Sequence, residues 1–253
     1  MSDAASGVAL VTGSAKRVGR AFIEALAARG QACAVHYNSS SGDAEALVET
    51  LRQGGVRAGA FGADLSDPEG TEALVGQVHD ALGPVSLLIN SASIFEDDSP
   101  ASLTAETFHR HMSANLLAPA LLSKAFAAQA PDGALIVNLL DYKLFNINAD
   151  YFSYTLSKAG LKTMTEMLAR ELAPKVRVCG IAPGLTLPSP YHSDEEFERL
   201  HHDNPLHCGP TTDHLVQAMM FFRDTPSVSG QIVCVDGGQH FDPRLTRDVF
   251  GAL

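Results

Sequence analysis

The sequence predicts an α/β protein: a single doubly wound domain with a mainly parallel sheet of about seven strands and helices on both faces. Three observations carry that prediction. Short runs such as Val8–Thr12 and Val85–Asn90 are apolar almost throughout, as strands buried on both faces are. Between such runs stand stretches whose apolar residues recur at helical spacing. The alternation also runs the length of the chain, the pattern of parallel strands joined by helical crossovers. A length of 253 residues accommodates this as one domain over residues 1–253.

Taken in order, Val8–Thr12 is the first strand. The first helix covers Arg17–Arg29, with Phe22, Ile23, Leu26 and Ala27 on one face and Gly30 as its C′ glycine. Gln31–Tyr37 is the second strand and Asp43–Gln53 the second helix. Strand Val56–Phe61, helix Glu69–Leu82 and strand Val85–Asn90 follow. A long helix over Ala105–Ala130 leads to strand Ala134–Leu140, helix Tyr151–Leu172 and strand Val176–Ile181. Asp213–Arg223 is the last helix and Gln231–Val235 the last strand.

The segment Leu185–Pro210 departs from this regularity. It holds Pro188, Pro190, Pro205 and Pro210, an acidic cluster from Asp194 to Glu198, and no clear periodicity. A long irregular stretch between two core strands is expected to act as a substrate lid.

Composition narrows the partners. A net charge of -11 argues against nucleic acid or an anionic membrane as the main partner. No apolar run approaches the ~20 residues of a membrane helix, and Met1–Gly7 lacks the basic start of a signal peptide. The four cysteines, Cys33, Cys179, Cys208 and Cys234, are scattered without a CxxC pair. Reduced thiols in a cytoplasmic protein are expected, with no metal site.

Two local patterns carry chemistry. The first is Thr12-Gly-Ser-Ala-Lys-Arg-Val-Gly19, placed between a strand and a helix. There Gly13 permits a tight turn, Gly19 permits close helix–sheet packing, and the helix N-terminus offers amides to a pyrophosphate. Arg17 and Val18 lie within the turn, Arg17 adding a cation where phosphates are expected. After the second strand, His36-Tyr37-Asn38-Ser39-Ser40 contains no carboxylate before Asp43. A carboxylate there would hold a ribose 2′-hydroxyl and repel a 2′-phosphate, so NADPH is the expected cofactor.

The second pattern is Tyr154 and Lys158, one helical turn apart on one face. An ammonium beside a phenol stabilises the phenolate and brings acid–base exchange into reach. Of the five tyrosines, only Tyr154 has a lysine four positions on.

Together these residues resemble the short-chain dehydrogenases, whose TGxxxGxG turn reads here with Arg17 in place of the middle glycine. The resemblance covers Val8–Gly238. It implies that Asp64 and Leu65 hold the adenine, and that Asn90, Ser91 and Ala92 form the turn after the fourth strand. It further implies that Asn115 anchors a water leading to Lys158, and that Pro183-Gly184 lies beside the nicotinamide. Asp236-Gly-Gly238 is the family's late turn, and the family's assembly is a homotetramer.

Most of that family has a serine where this chain has Asp141, 13 positions before Tyr154. The chain is in this respect similar to pteridine reductases and dihydromonapterin reductases. That similarity implies a pterin-type substrate, bound by Ser93, Phe95, Asp141 and Tyr154. The alternatives are a carbonyl (ketone or aldehyde) reductase or alcohol dehydrogenase of another substrate, and a non-catalytic dinucleotide sensor; a sensor would have no need of Asn115, Tyr154 and Lys158.

Overall fold

In a computed structural model, the described residues are 7–188 and 193–242. Residues 1–6, 189–192 and 243–253 lie outside them, including Pro190 of the expected lid and nearly all of the segment read for a signal peptide. One seven-stranded sheet runs in the order β3-β2-β1-β4-β5-β6-β7. Its strands are β1 (Val8–Val11), β2 (Ala32–Tyr37), β3 (Ala58–Gly62), β4 (Val85–Asn90), β5 (Ala134–Leu139), β6 (Val176–Pro183) and β7 (Ile232–Val235). Every pairing is parallel.

The helices are α1 (Arg17–Ala28), α2 (Ser41–Gln53), α3 (Pro68–Leu82), α4 (Ala105–Met112), α5 (Ala118–Gln129), α6 (Phe152–Glu171), α7 (Asp194–His202) and α8 (Thr212–Asp224). Side chains alternate across each strand, so β1 feeds two cores. Ala9 and Val11 pack with residues of α1, α2 and α8. Val8 and Leu10 pack with residues of α3 and α5 on the other face. The sheet order reverses between β1 and β4, where successive crossovers leave in opposite directions. In such sheets ligands usually sit at this reversal, at the carboxyl ends of the strands.

Two elements differ from expectation. The long helix over Ala105–Ala130 is interrupted: Ser113–Leu117 forms a π-helical turn between α4 and α5. An extra residue in a helical turn cannot be read from apolar spacing, and such turns recur at functional sites. The expected irregular lid contains α7, opened by a capping box in which Ser193 and Glu196 satisfy each other's backbone amides. Leu200 of α7 is buried, and the Leu206 amide donates to the Gly237 carbonyl at 3.1 Å. Among the described residues, this segment is therefore partly anchored.

Candidate active site

The turn after β1 is shaped by backbone demands. Gly13 has φ +62°, and Arg17 adopts φ +54° although it is not glycine. A Cβ on Gly19 would come within 2.6 Å of the Gly13 carbonyl oxygen, so only glycine fits there. The buried Thr12 hydroxyl oxygen accepts the amides of Ser91 and Ala92 at 2.9 and 3.0 Å, joining the turns after β1 and β4. Helix α1 has no side-chain cap and no acid in its first turn. Its leading amides are left for an outside acceptor, and the helix dipole favours an anion there. Arg17 Nη1 donates to the Pro188 carbonyl at 3.0 Å, linking this turn to the segment after β6.

At the end of β2, Asn38 and Ser39 are exposed, and Ser40 caps α2 without a side-chain hydrogen bond. Lys16, which the motif reading passed over, forms an ion pair with Asp43 at 2.8 Å. The first carboxylate after β2 thus carries its own cation. Asp64 is exposed and accepts the Ser66 amide and hydroxyl at 2.9 and 2.8 Å. Those bonds hold its carboxyl below the usual range. Leu65 packs partly against the core.

The chemistry-bearing residues meet at the carboxyl ends of β4 and β5 and on α6. The Tyr154 hydroxyl donates to Asp141 Oδ2 at 2.7 Å, and the Lys143 amide donates to Asp141 Oδ1 at 2.9 Å. Lys158 is buried beside them, its Nζ donating to the Leu139 carbonyl at 2.8 Å and lying 5.8 Å from the Tyr154 ring centre. Burial brings Lys158 down from the usual lysine range to about 8, and the Asp141 carboxylate opposes that fall.

The turn after β4 forms the facing wall. Phe95 is half-buried and is no core residue. Its ring stacks on Tyr151 at 4.2 Å between centres and meets Tyr154 edge-on at 4.7 Å. Tyr151, missed in the sequence, has φ +52° at the start of α6.

Three buried side chains hold this wall. Asn115, in the π turn, accepts the Ile94 amide and the Ser93 hydroxyl at 2.8 and 3.1 Å, and donates to Ile94 O and Ser157 Oγ. Its side chain thus ties the wall to α6. His111, one turn earlier, accepts the Glu96 amide at 3.3 Å. Asp98 accepts the Ser153 amide at 2.9 Å and also its hydroxyl, supplying the cap that Tyr151 does not. Asn90 donates to Asn138 at 2.8 Å, and its buried Oδ1 has no hydrogen-bond partner among the described residues. That orphaned acceptor lies at the end of β4, beside Ser91.

Pro183 ends β6, and the Gly184 amide donates to Val235 O at 2.9 Å. Asp236 is buried under the late turn, accepting the amides of Gly238 and His240. On α7, Glu198, His201 and His202 bring ligand atoms within 4.8 Å of one another. His201 is bonded to Pro210 O and His202 to Glu198 O, so these rings serve the folding of the segment.

With that geometry in place, the comparisons are specific. A family model described as short chain dehydrogenase matches residues 7–200. The crystal structure of FolM alternative dihydrofolate reductase 1 from Brucella canis, complexed with NADP, superposes with a TM-score of 0.91. It is 37% identical and covers 94% of this chain and 96% of that one. Pteridine reductase 1 of Leishmania tarentolae is 30% identical over 282 aligned residues, covering 91% of this chain and 95% of its own. A 3-oxoacyl-acyl-carrier-protein reductase of Staphylococcus aureus is 28% identical over 247 residues, covering 92% and 97%. Sheet order, glycine turn and family match agree, and the chain belongs to the short-chain dehydrogenase family.

Proposed function

We propose that this oxidoreductase uses NADPH to reduce a pterin-type ring, a dihydropterin or a dihydrofolate-like substrate. The observation that carries the reading is the 2.7 Å bond from the Tyr154 hydroxyl to Asp141. A phenol has a single proton, and here it is committed to a carboxylate. When Asp141 holds a proton it can donate to Tyr154, which frees the phenol proton to go outward. The two groups therefore titrate as one unit that stores and passes on a proton, which suits protonation of a ring nitrogen. A serine in that place could donate to an alkoxide but could not hold a second proton.

NADPH, when bound, supplies the hydride. The uncapped α1 N-terminus, with Gly13, Arg17, Val18 and Gly19, holds its pyrophosphate. Tyr37, Asn38, Ser39 and Ser40 face its 2′-phosphate, with Lys16 supplying a cation beside them. Asp64 and Leu65 flank the adenine. Asn90, Ser91 and Ala92, with Pro183, Gly184 and Lys158, bound the nicotinamide half. Ser93 and Phe95 hold the substrate ring against Asp141 and Tyr154, and Asn115 fixes that wall. Residues 185–188 and 193–210 cover the opening as a lid of the single domain. The NADP complex of the Brucella protein supports the cofactor, and the Leishmania relative supports the substrate class.

Leu117, Leu156 and Met167 are exposed apolar residues of the π turn and α6. We read them as part of a homotetramer contact. The four free cysteines suit the cytoplasm. No helix among the described residues is long and apolar enough to cross a membrane.

The test is an NADPH-oxidation assay against dihydropterins, dihydrofolate and simple ketones. Turnover confined to ketones would replace this reading with a carbonyl reductase, which the Staphylococcus relative favours.

A further inference from the structure

His36, the penultimate residue of β2, is 1% exposed, and both of its ring nitrogens are engaged. Nδ1 lies 3.0 Å from the Gly13 amide nitrogen. An amide only donates, so Nδ1 must be the acceptor and carry no proton. Nε2 lies 3.1 Å from the Ala63 carbonyl. A carbonyl only accepts, so Nε2 must carry the proton. The partners thus assign one form of the ring, neutral and protonated at Nε2. The backbone reinforces the link: the Ser14 amide donates to His36 O at 2.9 Å, and the His36 amide donates to Ser14 Oγ at 3.1 Å. Ser14 Oγ in turn donates to Val11 O at 2.7 Å. One imidazole on β2 therefore ties together the turn after β1 and the chain just after β3.

We propose that His36 is the positioning residue of the dinucleotide turn: its neutral ring holds the Gly13 amide in place, and acid, by charging the ring, releases the turn and weakens cofactor binding. This rests on the reading of that turn as the NADPH site. A protonated Nδ1 would present an N–H to the Gly13 N–H, and two donors cannot bond. The charged groups on the elements around the ring are Lys16 and Arg17 of the turn, Arg20 and Glu24 of α1, Asp43, Glu45, Glu49 and Arg52 of α2, and Asp64 and Asp67 after β3, with Tyr37 next along β2. Lys16 and Asp43 form an exposed ion pair at 2.8 Å. None of these residue types ordinarily changes charge between about pH 5 and 8, whereas histidine does. Burial lowers the basicity of His36, and its bond to Ala63 O opposes that effect. The sign follows: the site is intact at neutral pH, and its stability falls as pH drops below the ordinary histidine value of about 6.5.

The experiment is fluorescence titration of the full chain with NADPH and with NADH, which lacks the titrating 2′-phosphate, from about pH 5 to 8. In the wild type, both affinities should fall by about tenfold or more as the ring becomes charged, which burial places below the ordinary histidine value of about 6.5. His36→Phe, which has no acceptor, should bind about tenfold more weakly at neutral pH, the order of one lost hydrogen bond. His36→Asn, whose amide oxygen can accept the Gly13 N–H without titrating, should recover part of that loss and flatten the acid dependence. Nitrogen-15 NMR of the wild-type ring should show Nε2 protonated and Nδ1 bare at neutral pH, a readout that needs no variant to fold. An Nδ1-protonated ring, or His36→Asn with the wild-type pH dependence, would overturn the proposal. Folded wild-type protein that binds neither dinucleotide at neutral pH would instead overturn the cofactor reading beneath it, with the ring's protonation still measured directly.

Discussion

Asp141 accepts from two sides: the Tyr154 hydroxyl reaches one carboxylate oxygen at 2.7 Å and the Lys143 amide reaches the other at 2.9 Å. The amide fixes the carboxylate in the plane that meets the phenol, so the pair is set by the turn after β5 as well as by α6. If the pair is the proton store for a ring nitrogen, Asp141→Ser should cut pterin reduction by about two orders of magnitude or more and spare NADPH binding. It should also raise turnover of an activated ketone. Steady-state kinetics on both substrate classes checks this, and full pterin activity in the variant would make the carboxylate incidental.

Tyr154→Phe removes the hydroxyl and keeps the ring against Phe95. Turnover is expected to drop by roughly a hundredfold or more, the scale of a lost general acid, with the NADPH dissociation constant little changed. Near-normal turnover in a folded variant would move the proton donor elsewhere.

The pH profile tests Lys158. Burial holds its ammonium near about 8, so the charge is present below that pH and lost above it. The value of kcat/KM for NADPH, which reports the free enzyme, should therefore fall on the alkaline side of about 8. Asp141→Asn removes the negative charge that supports the ammonium, and the alkaline limb should move to lower pH. A limb left near the ordinary lysine value of about 10 contradicts the burial argument.

Cofactor choice is checked at the turn itself. NADPH should bind at least about tenfold more tightly than NADH, and Lys16→Ala should narrow that ratio by weakening NADPH alone. Equal binding of the two dinucleotides by the wild type would remove the 2′-phosphate reading.

The lid is tested by limited proteolysis. Cleavage within residues 185–210 should slow when NADPH and a pterin inhibitor are both present. Cleavage that ignores them would make the segment an ordinary surface loop.

What could be read from the sequence was local. Tyr154 and Lys158 announce themselves by helical spacing, and the glycine turn by its place between strand and helix. The sheet followed from apolar runs and their alternation. The box at Ser193 and Glu196 is also local, but it opens a short helix between prolines, where apolar periodicity is too brief to mark a helix. The remainder was not local. Asp98 caps a helix that begins 54 positions later, at Phe152, and Thr12 grips amides 79 and 80 residues on. The π turn at Asn115 arises from packing against the wall and α6, which no periodicity encodes.

The positive φ at Arg17 bears on how this chain responds to selection. A non-glycine residue in the left-handed region carries about 1 kcal/mol or more of strain, and glycine at that position would be free of it. Arg17→Gly is therefore expected to melt at a higher temperature while gripping phosphate less firmly. A screen for heat-resistant variants of this protein, run without activity as a filter, would enrich that substitution and return a sturdier protein that lets its dinucleotide go.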